Sequence, residues 1–197
     1  MGLTALILAG VMAAQPVPAE AHVVIHTAVG DIAVALDVEH APVSTCNFLR
    51  YVEAGRYADG SFFRTVVAAT NVNPNPIDVI QAQTTAGSDD PGLGAIPLER
   101  TRDTGLSHVA GTISMARDGP DTATSSFFIV TQDTPALDFG GRRNPDGQGF
   151  AAFGHVTEGL DIVRAIQALP AVEEAITAPV KIASVELVGE APAVCRP

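Results

Sequence analysis

Residues 61 to 67 read SFFRTVV, one arginine inside a run of phenylalanines and valines. Period-two alternation predicts a strand that sets Arg64 on the face of Phe62 and Val66. A guanidinium cannot shed its charge, so it needs partners or a task in such a run. The task open to it is electrostatic. A fixed cation stabilises a developing electron pair without any proton transfer. By residue type alone, Arg64 equally fits an edge cation that limits aggregation.

Little else in the chain offers chemistry. There is no G-x-S-x-G elbow, no G-x-x-x-x-G-K-[ST] loop and no H-E-x-x-H pair. Gly147-Gln148-Gly149-Phe150-Ala151-Ala152 matches a relaxed dinucleotide fingerprint, but a loop precedes it and a strand follows, which is the wrong context. Cys46 has no adjacent base or cation in sequence and does not read as a nucleophile. Asp89-Asp90 reads as a solvated turn. Two distant cysteines and five scattered histidines do not make a metal site, so neither a metal nor a cofactor is expected. Lys and Arg total 11 against 22 Asp and Glu, a formal net charge of -11. A phosphate backbone would be repelled, so nucleic acid is not an expected partner.

The elements that must hold Arg64 follow from periodicity. With 47% hydrophobic and 17% charged residues, the chain suits one domain with a sizeable core. His22 to Thr27 and Ile32 to Leu36 predict a hairpin turning at Gly30-Asp31. Pro42 opens a helix to about Ala54, with Phe48, Tyr51 and Val52 on one face. Strands follow over 61–67, 79–82, 111–116, 126–131, 150–156 and 180–188, with a second helix over 160–168. Residues 83–107 and 132–149 are long loops, a length that is usually functional. About eight short strands and two helices, without a βαβ rhythm, predict a mainly β fold: a closed eight-stranded antiparallel barrel with a helix at each end.

The N-terminus carries an apolar stretch from Leu3 to Ala14, then Pro16, Pro18 and Ala19-Glu20-Ala21. This resembles a secretory signal removed before His22, although no Lys or Arg precedes Arg50. A periplasmic or secreted monomer is expected, with its domain over 22–188 and a flexible Ala/Pro-rich tail over 189–197. An oxidising compartment permits a Cys46–Cys195 bridge. Sequence cannot place the two Cα atoms, so pairing and free thiols both stay open.

Taken in order, APVSTCNFLRYVEAGRY, SFFRTV, VIQAQ, GTISMAR, TATSSFFIVT, ALDFG and FAAFGHVTEGLDIV resemble the cyclophilins over about residues 22 to 188. Those are peptidyl-prolyl cis-trans isomerases with an eight-stranded barrel capped by two helices, and the exported bacterial kind is the one most resembled. The resemblance implies Arg64 as the catalytic arginine, Gln81 as the glutamine near the substrate carbonyl and Phe128 as the pocket floor. It puts Ala116 and Arg117 where the family binds the substrate backbone, Leu137 at the pocket leucine and Phe150 at the rim. Val79 and Met115 are expected to help hold the proline ring. Proline-containing polypeptides are the implied partners. By residue type Arg117 reads as a solvated loop charge; beside the peptide groove it would select acidic residues near the proline.

The chain also departs from the family pattern. Asp78-Val79 replaces a Phe-Met pair after an insertion around Asn71 to Pro76. Ser126 replaces a glutamine, Ala136 a tryptophan, Phe150 a histidine, and Ala82-Gln83 a Gly-Gly pair. Asp78 is expected to open one pocket wall and to pair with Arg64. Turnover weaker than that of a fully matched member is expected. The alternative is a proline-peptide-binding chaperone module with little or no turnover.

Overall fold

Nine strands and three α-helices are present among the described residues. The computed structural model describes residues 19–87 and 92–196. Asp89-Asp90 and residues 1–18 of the expected leader lie outside the described residues, while Glu20 and Ala21 open the first strand. In chain order the elements are β1 (Glu20–Thr27), β2 (Gly30–Asp37), α1 (Pro42–Glu53), β3 (Ser61–Val66), β4 (Val79–Gln83) and α2 (Thr101–Thr104). They continue as β5 (Thr112–Met115), β6 (Phe127–Val130), β7 (Ala151–Glu158), α3 (Leu160–Gln167), β8 (Ala171–Val172) and β9 (Ala175–Val188). The strand order is β1-β2-β7-β5-β6-β4-β3-β9, and β1 pairs back onto β9. Eight antiparallel strands therefore close into the expected barrel, capped by α1 and α3. The two-residue β8 and the one-turn α2 are additions. The first hairpin turns at Ala28-Val29 rather than Gly30-Asp31, because Gly30 pairs with Thr27.

Alternation fills the barrel. Val23, Ile25, Ile32, Val34 and Leu36 point inward from β1 and β2 and are buried. Helix α1 begins at Pro42, which pre-sets the first helical φ. No local side chain caps it. Glu99, from the long loop, accepts the Val43 and Ser44 amides at 2.9 and 2.7 Å. A carboxylate there satisfies two orphan donors and complements the helix dipole. The expected apolar face is in place, with Phe48 packed edge-on to Phe127 at 5.3 Å and tilted against Tyr57 at 5.1 Å.

The tail differs from the loose segment expected. Cys46 of α1 is bridged to Cys195, which sits in a 3-10 turn over Ala193–Cys195. The bridge ties the C-terminus to α1.

A second, smaller apolar cluster lies apart from the main core. Val66, Ile77, Val79, Phe128, Val130 and Leu137 form it, with Ala116 and Phe150 packed at its edge. Its side chains leave the outer face of the barrel wall made by β3, β4 and β6.

Candidate active site

Register builds the site. Arg64 pairs with Gln81, Gln81 with Phe128, and Phe128 with Ser114. The four residues make one row across β3, β4, β6 and β5 on the outer face. A parallel row, Val66, Val79 and Val130, lies beside it. The inner row is Phe62, Ala82, Phe127 and Met115, all buried in the main core.

This register corrects two expectations. Arg64 does not share a face with Phe62. The pairing of β3 with β4 slips between Phe62 and Arg64, so Phe63 is the extra residue of a bulge and the later residues change sides. That bulge turns Arg64 out of the barrel toward the groove. Met115 does not reach the groove, because its partner is Phe127 and it points inward with that ring.

Arg64 is held by three hydrogen bonds to two partners. Its Nε and Nη2 donate to Glu174 Oε2 at 3.0 and 2.5 Å, and Nη1 donates to Gln81 Oε1 at 2.9 Å. One N–H on each of Nη1 and Nη2 is left over. Gln81 Nε2 donates to Ser126 Oγ at 3.1 Å, and that hydroxyl donates to the Ala82 carbonyl at 2.8 Å. Ser126 thus orients Gln81 from the position where the family pattern has a glutamine. Asp78 is not Arg64's partner. Its carboxylate accepts from the Ala68 amide at 3.0 Å and Gln167 Nε2 at 3.1 Å, tying the strand ends to α3. Ile77, not Asp78, faces the groove.

Glu174 was not foreseen. It sits in the turn between β8 and β9, where Glu173 and Glu174 have φ of 49° and 70°. Such tight hairpin turns favour Asn and Gly, and a non-glycine residue there is strained by about 1 to 3 kcal/mol. The strain is offset by the contacts it sets up. Glu174 takes Arg64 on Oε2 and Asn71 Nδ2 on Oε1 at 2.6 Å, and its carbonyl accepts the Thr65 amide.

Phe128 is the floor, and its environment fixes its plane. His108 stacks beneath it at 6.0 Å and 16°, and Phe150 meets it edge-on at 5.3 Å and 90°. His108 is itself locked. Nδ1 lies 2.7 Å from Asp138 Oδ1 and Nε2 lies 2.9 Å from Ser114 Oγ. The three residue types are those of a hydrolytic triad, but Ser114 is fully buried. Its hydroxyl meets no substrate, so the trio supports Phe128.

The groove is a cavity of about 580 Å³ lined by Arg64, Ile77, Val79, Gln81, Phe128, Leu137 and Phe150 among others. Ala116 lines it too, at the edge of the floor cluster. Arg117 also lines it but is not available to a substrate. Its side chain is 1% exposed, paired with Asp146 at 2.7 and 3.0 Å, and donates twice to the Gly149 carbonyl. It also lies 5.0 Å from the Phe150 ring centre. The expectation that Arg117 selects acidic residues therefore fails. Gly149 has φ of 69°, and a Cβ there would lie 2.6 Å from the Asp138 and Phe139 backbone, so only glycine lets the loop come in to Arg117. The hydrogen bond from Arg117 holds the Asp146 carboxyl below its ordinary range.

The Asn71 to Pro76 segment and the long loop over 132–149 build the far wall. The loop after the 3-10 turn Pro135–Leu137 folds back so that the Arg143 amide donates to the Ala136 carbonyl at 3.1 Å. Arg143 Nη1 then donates to Asn71 Oδ1 at 2.8 Å and to the Asn75 carbonyl at 3.4 Å. Asn75 Nδ2 returns a bond to the Arg142 carbonyl at 3.0 Å.

The chain is thus a closed barrel with a phenylalanine-floored, arginine-edged groove on its outer wall. The chain belongs to the cyclophilin-type peptidyl-prolyl cis-trans isomerases. The sequence model of the family described as "Cyclophilin type peptidyl-prolyl cis-trans isomerase/CLD" matches residues 22–187. Peptidyl-prolyl cis-trans isomerase A of Dickeya dadantii is 37% identical over 142 residues, covering 72% of this chain and 68% of the relative. A peptidyl-prolyl cis-trans isomerase of Acinetobacter baylyi is 31% identical over 189 residues, covering 93% of this chain and 94% of the relative. Among solved structures, a cyclophilin-type isomerase of Cryptosporidium parvum superposes with a TM-score of 0.69 at 21% identity, covering 87% of this chain and 99% of that one. The same parasite protein, solved in the presence of the dipeptide Ala-Pro, superposes with a TM-score of 0.66.

Proposed function

We propose that this protein is a peptidyl-prolyl cis-trans isomerase that assists the folding of proline-containing chains outside the cytoplasm, with Arg64 stabilising the twisted X-Pro amide. The observation that carries the reading is the row Arg64, Gln81 and Phe128, which sets a fixed cation beside an aromatic floor. An X-Pro bond turns over a barrier of about 18 to 20 kcal/mol, set by amide resonance. Twisting leaves a lone pair on the proline nitrogen. The free N–H groups of Arg64 donate to that lone pair in the twisted form and not in the planar one, which is differential binding of the transition state. Phe128, Val79, Leu137 and Ile77 hold the ring. The spare N–H of Gln81 Nε2 holds an adjoining carbonyl while the bond turns. No nucleophile, acid or base takes part. The Cys46–Cys195 bridge and the leader-like N-terminus support an oxidising, exported location.

A charge-assisted hydrogen bond contributes about 1.5 to 3 kcal/mol, or roughly tenfold to a hundredfold in rate. Arg64→Ala is therefore expected to lower proline-peptide turnover by that factor, measured against the unchanged protein. Equal rates would remove Arg64 from the role. The Glu174 ion pair favours the second reading, a proline-peptide-binding chaperone module, because it offsets part of the charge that catalysis uses. Peptide affinity without rate enhancement decides for that module.

A further inference from the structure

We propose that Arg143 forms a subsite for a carboxylate side chain beside the proline, so that the groove prefers acidic proline segments. This deepens the isomerase reading and rests on it for where the polypeptide lies. Among the described residues three arginines line the cavity: Arg64, Arg117 and Arg143. Two already have a carboxylate partner, Arg64 in Glu174 and Arg117 in Asp146. Arg143 is different. Among the described residues no carboxylate oxygen lies within ion-pair distance of it, and the acceptors on its Nη1 are the uncharged Asn71 Oδ1 and Asn75 carbonyl. These orient the guanidinium without cancelling its charge. Its Nε and Nη2 donors meet no acceptor among the described residues and remain for a ligand.

The surroundings favour one negative charge there. Burial is the largest influence on Arg143 and lowers its pKa, Glu174 raises it, and Arg64 lowers it. A cation disfavoured by burial and by a like charge gains when an anion arrives. Asn71 stands between the two groups, its amide nitrogen toward Glu174 and its oxygen toward Arg143. Among the described lining residues Asp118 is the only acid, and it is exposed. A single unpaired guanidinium near Glu174 suits a carboxylate better than a doubly charged phosphate, which favours arginine clusters. Arg143 lies in the long loop between Leu137 and Phe150, outside the motifs that carry the family resemblance.

The test uses the full chain and matched proline peptides with Glu or Gln at each of the two positions before and after the proline. Turnover and Kd are measured separately for each peptide. The unchanged protein is expected to prefer Glu over Gln roughly tenfold at one position, with the ratio shrinking as salt rises. Arg143→Gln brings the ratio to about one, and Arg143→Lys keeps part of it. Thermal unfolding confirms that both variants are folded. A chain with no Glu preference at any position, or an Arg143→Gln variant that keeps it, overturns the proposal. So does a phosphoserine peptide that outperforms Glu at the preferred position. Failure of the isomerase reading looks different: no peptide is turned over, while the Glu-to-Gln ratio of Kd still decides the role of Arg143. If no peptide binds, both readings are overturned.

Discussion

Glu174 has two opposing effects on Arg64, and two substitutions separate them. The carboxylate holds the guanidinium in place through Nε and Nη2. It also damps the charge. Taking the carboxylate to lie about twice as far from the reacting nitrogen as the guanidinium does, Coulomb's law cancels about half of the attraction. The pair is partly open to solvent, with the side chains 36% and 32% exposed, so the effect is screened and amounts to about 1 kcal/mol. Glu174→Gln keeps the shape and a hydrogen-bond acceptor but removes the charge. It is expected to raise kcat/KM by about threefold to tenfold. Glu174→Ala also removes the anchor, so ordering the freed arginine costs about 1.5 to 2 kcal/mol. That exceeds the gain, and turnover falls by about twofold to fivefold. The assay is proline-peptide turnover at one substrate series, with peptide Kd measured in parallel. If Glu174→Gln is slowed as much as Glu174→Ala, the damping argument is wrong. If neither differs from the unchanged protein, Glu174 does not act through Arg64.

Two further outcomes test other parts of the structure. Removing the bridge by Cys46→Ser with Cys195→Ser, or by reduction, is expected to cost about 2 to 5 kcal/mol of stability and to lower Tm by roughly 5 to 15 °C. Turnover of the folded protein should stay near its original value, since neither cysteine lines the groove; a loss of activity without a loss of stability contradicts this. The Asp146 carboxyl is held below its ordinary value of 3.8 by Arg117. Its stabilising contribution is therefore complete above that value and is lost as pH falls through the lower, folded-state one. Chemical denaturation of the unchanged protein and Asp146→Asn should differ at neutral pH and converge only under strong acid. Convergence already at pH 5 contradicts the assignment.

The sequence revealed what depends on local pattern. Alternation in β1, β2, β4 and β6 was visible. The closed barrel followed from counting short strands. What stayed hidden depends on register and on long-range topology. A bulge at Phe63 leaves no mark in SFFRTVV, yet it decides which way Arg64 points. Met115 is core because it faces Phe127, and only strand pairing shows that. Glu174 lies 110 residues from Arg64 in sequence, in a turn whose two glutamates carry none of the usual hairpin chemistry. The hairpin itself was therefore missed. Arg117 and Asp78 were both given plausible tasks, and both turned out to have partners supplied by distant segments. The bridge between Cys46 and Cys195 needed the tail's path, which composition cannot give.

In the proposed mechanism Arg64 accelerates rotation and does more than help hold a peptide. Exchange spectroscopy on a proline peptide, following its cis and trans signals with a small amount of protein, measures rotation directly. The unchanged protein is expected to make the two signals exchange much faster than peptide alone. Arg64→Ala is expected to slow the catalysed exchange by roughly tenfold to a hundredfold, while the peptide still binds in the groove over Phe128. Exchange as fast with Arg64→Ala as with the unchanged protein, at equal peptide occupancy, would contradict this mechanism.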